Sequence, residues 1–402
     1  MVTCDFLIIG GGIIGISLAR ELKRRYPDSK LILIEKENDF GLHASGRNSG
    51  VLHAGFYYTA NSLKAGFTQT GNQQLTKYCE SKNIPINKCG KLVVAKNESD
   101  LLLLDELMSR AKANSVPLNS ISEKEAKTIE PRVKTFERAL FSPTTSSVNP
   151  KKVVQAMCAD AVKEGLILKS QVRYLKKTGQ ESVMTSQGNI AFGYMVNAAG
   201  LYADQIAQDF GFSKDYRILP FKGLYLCSNQ STDEMVRTNI YPVPDLRNPF
   251  LGVHLTVTAE QKVKIGPTAI PAFWRENYKG LSNFNFNEMM EIILRQAGLF
   301  WSSDFGFKSL AFEEIQKYSR AKLVSLASLL AEGVGLSSFN KWGKTGIRAQ
   351  LINIREKKLE MDFVLEGNGK SLHILNAISP AFTCAIPFAN YTCDKIAQLL
   401  KQ

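Results

Sequence analysis

Phe6-Leu7-Ile8-Ile9-Gly10-Gly11-Gly12-Ile13-Ile14-Gly15, followed by Leu31-Ile32-Leu33-Ile34-Glu35, is the stretch on which the fold turns. Phe6 to Ile9 is a short unbroken apolar run, the pattern of a strand covered on both faces in a parallel sheet. Ile13 to Arg25 reads as a helix, with small residues early, basic residues late and Pro27-Asp28 to stop it. Leu31 to Ile34 repeats the strand signal, giving β-α-β within about thirty residues. In the G-x-G-x-x-G between strand and helix, Gly10 permits the tight turn and Gly12 lets backbone approach a pyrophosphate. Gly15 lets the helix pack closely on the strand. The phosphates are expected at the helix N-terminus beside Ile13 and Ile14, where free N–H groups and the dipole favour negative charge. Glu35 ends the second strand, where an acid accepts a hydrogen bond from a ribose hydroxyl, and Lys36 follows it. Alone, the glycine pattern is weak. Between two buried strands and with the acid in place, it specifies a dinucleotide.

The chain has 402 residues, 44% hydrophobic and 22% charged, which suits two domains or one α/β domain with an insertion. Its net charge of +13 is scattered rather than gathered into a basic arm. That pattern argues against a nucleic-acid tail and for a diffuse field attracting small anions and acidic membrane surfaces. The seven cysteines include no Cys-x-x-Cys, so neither a disulfide framework nor a zinc site is expected, and a reducing, cytoplasmic setting fits. Four histidines leave little material for a metal centre, and none is expected. Phe6 to Ala19 is apolar but lacks the basic n-region of a signal peptide, and no run is long enough to span a bilayer.

Further along, helices are expected over 62–82, 99–114 and 150–163, with a strand at 91–95. An alternating region from Tyr216 to Ala272 reads as antiparallel sheet, and Asn287 to Gly333 as mostly helical. The C-terminal part returns to strands and is expected to close with a helix from Pro387 to Leu400. The fold class is therefore α/β: a Rossmann-like nucleotide-binding domain from 1–90, 140–215 and 340–402. Residues 91–139 and 216–339 form an inserted cap of mainly antiparallel sheet plus helices.

The fingerprint does not separate FAD from NAD, but the segment Ser45-Gly46-Arg47-Asn48-Ser49-Gly50-Val51-Leu52-His53-Ala54-Gly55-Phe56-Tyr57-Tyr58 does. With Ser62-Leu63-Lys64-Ala65, Pro249-Phe250-Leu251-Gly252-Val253-His254, Gly266-Pro267, Gly346-Ile347-Arg348-Ala349-Gln350-Leu351 and Leu372 to Ala381, it resembles the D-amino-acid oxidase-like (DAO) family of FAD enzymes. Within that family it is most similar to the L-2-hydroxyglutarate dehydrogenase/oxidase group. The resemblance implies a GR2-type flavoprotein fold, FAD, and a small anionic 2-hydroxy acid substrate. It also implies cofactor contacts from Ser45 to Gly50, from Val172 through its backbone to the adenine, and from Ala199 and Gly200. Arg348 and the segment Ser379-Pro380-Ala381 complete the set. The Phe382 that follows departs from the glycine-richer segment common in the family.

Oxidation of a 2-hydroxy acid sends a hydride to flavin N5 and the hydroxyl proton to a base, with a cation for the carboxylate. His53 and His254 are the candidate bases, His53 first; His43 and His373 read as structural. Arg348 is the candidate carboxylate clamp, because a guanidinium grips a carboxylate bidentately. Lys222 and Tyr241 are candidates for a distal carboxylate and Tyr58 for the substrate hydroxyl. Quinone or oxygen is the expected electron acceptor, and an apolar stretch from Ile292 to Trp301 permits peripheral contact with the inner face of the cell membrane. An amine or amino-acid oxidase of the same fold is the main alternative. A nicotinamide enzyme leaves Gly46 to Gly55 without a role, and a flavin-binding RNA-modifying protein lacks the aromatic–basic interleaving that RNA binding requires.

Overall fold

In the computed structural model, residues 2–231, 235–246, 251–302 and 307–401 are described, without the side chains of 231, 300–302, 307, 309 and 310. Strand β1 runs Val2–Ile9, helix α1 Ile13–Arg25 and strand β2 Leu31–Ile34. β1 pairs in parallel with β2, Phe6 opposite Leu31, and on its other side with Gly188–Asn197, Ile9 opposite Asn197. Ile167–Lys169 adds to β2 and Ser371–Asn376 to Gly188–Asn197, both again in parallel. Residues from both ends of the chain thus form one parallel core. Antiparallel strands Tyr174–Gly179, Ser182–Thr185 and Val364–Gly367 complete an eight-stranded sheet.

The continuous apolar run of β1 has a simple cause. Phe6 and Ile8 point into a core shared with Ile16 and Leu22 of α1 and Phe388 of the C-terminal helix. Leu7 and Ile9 point the other way, among Val172, Met195 and Ile206. Successive side chains of a strand face opposite sides, so a strand buried twice needs apolar residues at every position.

A second eight-stranded sheet contains Lys91–Val94, Arg138–Ser142, Asn239–Pro242, His254–Val257 and Lys262–Gly266. Its pairs are antiparallel except that between Lys91–Val94 and Asn239–Pro242. Helix Arg320–Ser328 covers one face through Leu323, Val324 and Ala327. Between the two large sheets lies a smaller one, in which Tyr216–Gly223 pairs along its length with Gly346–Asn353. These strands bracket the segment 224–345. The sequence limit drawn at 139/140 falls inside the strand Arg138–Ser142.

Two sequence expectations need correction. The C-terminal helix is Ala381–Leu399, with Pro387 inside it rather than at its start. A proline there removes the N–H that would bond the carbonyl four residues back, that of Thr383. Gly71, on the helix Leu63–Ser81, approaches that oxygen so closely that a Cβ would lie 2.3 Å from it. The stretch from Ile292 is also not a uniformly apolar surface. In helix Phe286–Ser302, Ile292 and Leu299 are buried with Leu219 and Phe221, while Phe286, Met290 and Leu294 are exposed. The side chain of Trp301, like Pro249 and Phe250, lies outside the described residues. Among the described residues, no helix is long and apolar enough to cross a membrane.

Candidate active site

A cavity of about 610 Å³ runs from the C-terminal end of β1 to the small connecting sheet. Gly10, Gly12, Ile13 and Ile14 form one end of its wall. Gly10 has φ +113°, and a Cβ there would lie 2.4 Å from the Ala198 carbonyl oxygen. Gly15 stands behind the wall, where a Cβ would be 2.0 Å from the Gly10 carbonyl, so helix and strand meet at backbone distance. Gly12 caps α1 without a side-chain hydrogen bond, and no acid occupies the first turn. An uncapped, acid-free helix N-terminus facing a cavity suits a pyrophosphate.

Glu35 lines the same end, its carboxylate accepting from the N–H groups of Gly11 (2.8 Å) and Glu37 (3.0 Å). Val172 also lines it, but its N–H donates to the Glu35 carbonyl at 2.9 Å. A backbone contact from Val172 to an adenine would therefore have to use its carbonyl. Lys36 reaches the wall and ties it to the cap, pairing with Glu37 at 2.7 Å and with Glu276. Ala199 and Gly200 line the cavity behind Asn197, which accepts from the Ala199 N–H and donates to the Ala203 carbonyl.

The segment after β2 folds into the cavity as a stapled loop. Ser45 Oγ accepts the Ile13 N–H at 2.9 Å, taking one of the free donors of α1. Arg47 donates to the Leu42 carbonyl at 2.6 Å and to Thr345, beside the start of the strand Gly346–Asn353. Asn48 donates to the carbonyls of Ala44 and Ser45 and accepts from Gly50. Ser49 lines the wall, whereas Gly46 and Gly50 support it from behind. Gly50 has φ +79° and leaves no room for a Cβ beside the Val148 carbonyl. Ser379, Pro380 and Ala381 line the opposite side, where the C-terminal helix begins, again with no side-chain cap. Phe382 follows in its first turn and packs in part against the core.

His53, Tyr225 and Arg348 line the same cavity. The His53 N–H donates to Thr383 Oγ1 at 3.2 Å, and its carbonyl accepts from Asn72 at 3.2 Å, so the residue is fixed from both sides. Its Nδ1 is buried without a partner among the described residues. Burial, and then the charges of Lys91 and His254, hold this imidazole well below its usual pKa. Burial likewise brings His254 down to about 3, even though its Nδ1 bonds the Gly252 carbonyl. Arg348 donates to the Thr268 carbonyl at 2.8 Å, and burial lowers its pKa from the ordinary value. The carboxylates of the wall, Glu35 and Asp209, belong to the fingerprint end, Asp209 being bonded to Tyr174 at 2.7 Å.

Among the expected site residues, His254, Lys222, Tyr58, Tyr241, Gly15, Gly46 and Gly50 do not line the cavity. Lys222 stands opposite Ile347, while Arg348 stands opposite Phe221, so the two cations occupy opposite faces of their sheet. Lys222 Nζ donates to Asn277 at 2.8 Å. Tyr58 packs with Phe56 and Tyr57, Tyr241 lies under the Lys91 ammonium, and His254 stacks on the Tyr241 ring. The sequence reading missed Tyr225, Thr383, Asn72 and Lys91. No motif flags them. For Lys91 the signal was a lysine within the strand-like run Lys91 to Ala95.

A family model for FAD dependent oxidoreductases (DAO) matches residues 5–306. The mitochondrial L-2-hydroxyglutarate dehydrogenase of Nematostella vectensis is 35% identical, the match covering 98% of this chain and 90% of that protein. The L-2-hydroxyglutarate dehydrogenase of Escherichia coli strain K12 is 33% identical, with coverage of 98% and 94%. The fold is shared with dithionite-reduced L-α-glycerophosphate oxidase from Mycoplasma pneumoniae with FAD bound, at TM-score 0.78, 20% identity and coverage of 100% and 96%. It is also shared with glycine oxidase from Geobacillus kaustophilus, at TM-score 0.74, 16% identity and coverage of 99% and 95%. With a cavity built for a dinucleotide and a family match over most of its length, the chain belongs to the DAO family of FAD-dependent oxidoreductases.

Proposed function

We propose that the protein oxidises L-2-hydroxyglutarate to 2-oxoglutarate. The observation that carries this reading is that His53 and Arg348 line one cavity, one a neutral imidazole and the other a guanidinium. The 33–35% identity to L-2-hydroxyglutarate dehydrogenases over nearly the whole chain supports the substrate. Bound FAD supplies a two-electron acceptor for the hydride that leaves the α-carbon. Arg348 holds the α-carboxylate, which fixes the carbinol carbon relative to the wall. His53 accepts the hydroxyl proton as the carbonyl forms; an imidazole already neutral near pH 7 can do so without first losing a proton. His254 closes the site from the cap sheet. An amine substrate would need no base for a hydroxyl.

We assign residues 1–90, 140–215 and 340–402 to the cofactor domain and the remainder to the cap. Electrons pass onward to quinone or oxygen. Phe286, Met290 and Leu294, exposed on one helix stripe, support contact with a membrane surface where a quinone would be met. The test is product formation: the enzyme with L-2-hydroxyglutarate and a dye acceptor yields 2-oxoglutarate, and the D enantiomer does not. His53→Gln should lower the limiting rate by about 10² to 10⁴-fold, the usual worth of a general base. Unchanged turnover in that variant would remove His53 from the role.

A further inference from the structure

Lys91 is a lysine with no exposed surface, and its Nζ has no hydrogen-bond partner among the described residues. The ammonium lies over three aromatic faces, with the ring centroids of Tyr57, Phe56 and Tyr241 4.5, 4.6 and 4.8 Å away. Such faces stabilise a cation but offer no acceptor for its three N–H donors. Leu92 and Val94 point into the core under the cap helices, whereas Val93 joins Phe56 and Tyr57 on the other face of the sheet. Strand alternation puts Lys91 on that same face, turned towards the cofactor half of the molecule. The buried Tyr57 hydroxyl and His53 Nδ1 also lack partners. A fully desolvated donor is costly unless something satisfies it. Here Lys91 lies against the Tyr57 ring and its charge acts on His53, so the three unpartnered groups share one neighbourhood.

The electrostatics give the cluster a direction. His254 feels the charges of both Lys91 and Arg348, and His53 that of Lys91. Arg348 lines the cofactor cavity and Lys91 lies beyond it. A five-carbon 2-hydroxy diacid carries one carboxylate next to its carbinol carbon and the other at the far end of the chain.

We propose that Lys91 receives the distal carboxylate of the substrate, and that this lysine with its aromatic surround selects a dicarboxylate over a 2-hydroxy monoacid. The inference rests on the oxidation proposed above. Burial brings the Lys91 ammonium down to about 7. Without substrate, Lys91 therefore titrates near neutrality, and an arriving carboxylate draws a proton onto it.

The test compares L-2-hydroxyglutarate with L-2-hydroxypentanoate, which keeps the five-carbon chain and lacks the distal carboxylate, in the FAD-loaded wild type and Lys91→Met. The ratio of the two kcat/KM values should fall about hundredfold in the variant, through KM for the diacid, because a buried charge partner is lost. An unchanged ratio overturns the proposal. So does an equal loss of kcat on both substrates, which would put Lys91 at the reacting end. Should the variant lose its flavin or fail to fold, wild-type enzyme is titrated with redox-inert glutarate and pentanoate from pH 6 to 9. Glutarate should bind more weakly as pH rises through 7 and take up a proton on binding, and pentanoate should do neither. Identical pH dependence for the two acids overturns the proposal. If the wild type fails to oxidise L-2-hydroxyglutarate, the functional reading falls, and the glutarate titration still decides the role of Lys91.

Discussion

The imidazole of His254 lies flat on the ring of Tyr241, centroids 3.6 Å apart and planes 15° from parallel, with its Nδ1 3.0 Å from the Gly252 carbonyl. A carbonyl only accepts, so Nδ1 carries the proton and Nε2 keeps a lone pair. Burial holds this ring at about 3 and His53 well below its usual value. Both are neutral across the physiological range. The limiting rate of flavin reduction at saturating substrate should therefore show no acid limb between pH 5 and 8. Stopped-flow absorbance over that range is the check, and a limb near 6.5 would mean that a histidine is charged in the resting site.

The same shifts set how stability responds to acid. His373 is buried, with Nδ1 beside Asn197 and Nε2 beside Ser371 Oγ, and burial brings it to about 3. In the unfolded chain each of these histidines binds a proton below about 6.5, while in the folded protein it stays neutral. The unfolded state therefore binds more protons between pH 3 and 6.5, and stability falls as pH falls through that window. Thermal melts should show a Tm lower at pH 5 than at pH 7.5, with the decline starting near 6.5. A Tm constant down to pH 4.5, where carboxylates begin to titrate, would contradict this.

Two glycines should respond in opposite ways to alanine. At Gly15 the new Cβ would sit 2.0 Å from the Gly10 carbonyl, forcing α1 off the sheet at the helix end proposed to hold the phosphates. Gly15→Ala should cost about 1–3 kcal/mol or more of overpacking strain and lose FAD on purification. Gly66 lies in the helix Leu63–Ser81, where an added Cβ would meet nothing within 4 Å, so Gly66→Ala should stabilise by about 0.5–1 kcal/mol. Chemical denaturation and the flavin-to-protein absorbance ratio measure both.

Arg275 grips Asp204 of the helix Ala203–Asp209 through a two-pronged contact, at 2.8 and 3.0 Å, and both side chains are essentially without exposure. Arg275→Met would strand the Asp204 carboxylate in the interior. The expected loss is about 3–5 kcal/mol, far above the cost of an exposed pair. Denaturant unfolding reads it, and a loss under about 1 kcal/mol would show that water reaches Asp204.

Much of this arrangement was legible in the sequence because it depends on local pattern. The unbroken apolar runs of β1 and β2 and the glycines between them have one good physical solution, and the structure adopts it. Pro387 misled because a proline usually marks a helix start, whereas here it sits inside the helix Ala381–Leu399. Lys222 was a reasonable cation to choose by type, but sheet register turns it away from Arg348. Lys91 is the converse case. Only the meeting of its strand with the loop carrying Phe56 and Tyr57 and with Tyr241 makes it a buried ammonium, and no local motif encodes that meeting.

The most direct test is anaerobic mixing of the FAD-loaded protein with L-2-hydroxyglutarate, D-2-hydroxyglutarate, malate, lactate, glycerol 3-phosphate and a set of amino acids, followed by flavin absorbance. Complete bleaching by L-2-hydroxyglutarate, with one 2-oxoglutarate formed per flavin and slow or absent reduction by the others, is the predicted result. Rapid bleaching by an amino acid or glycerol 3-phosphate, with none by L-2-hydroxyglutarate, would contradict it.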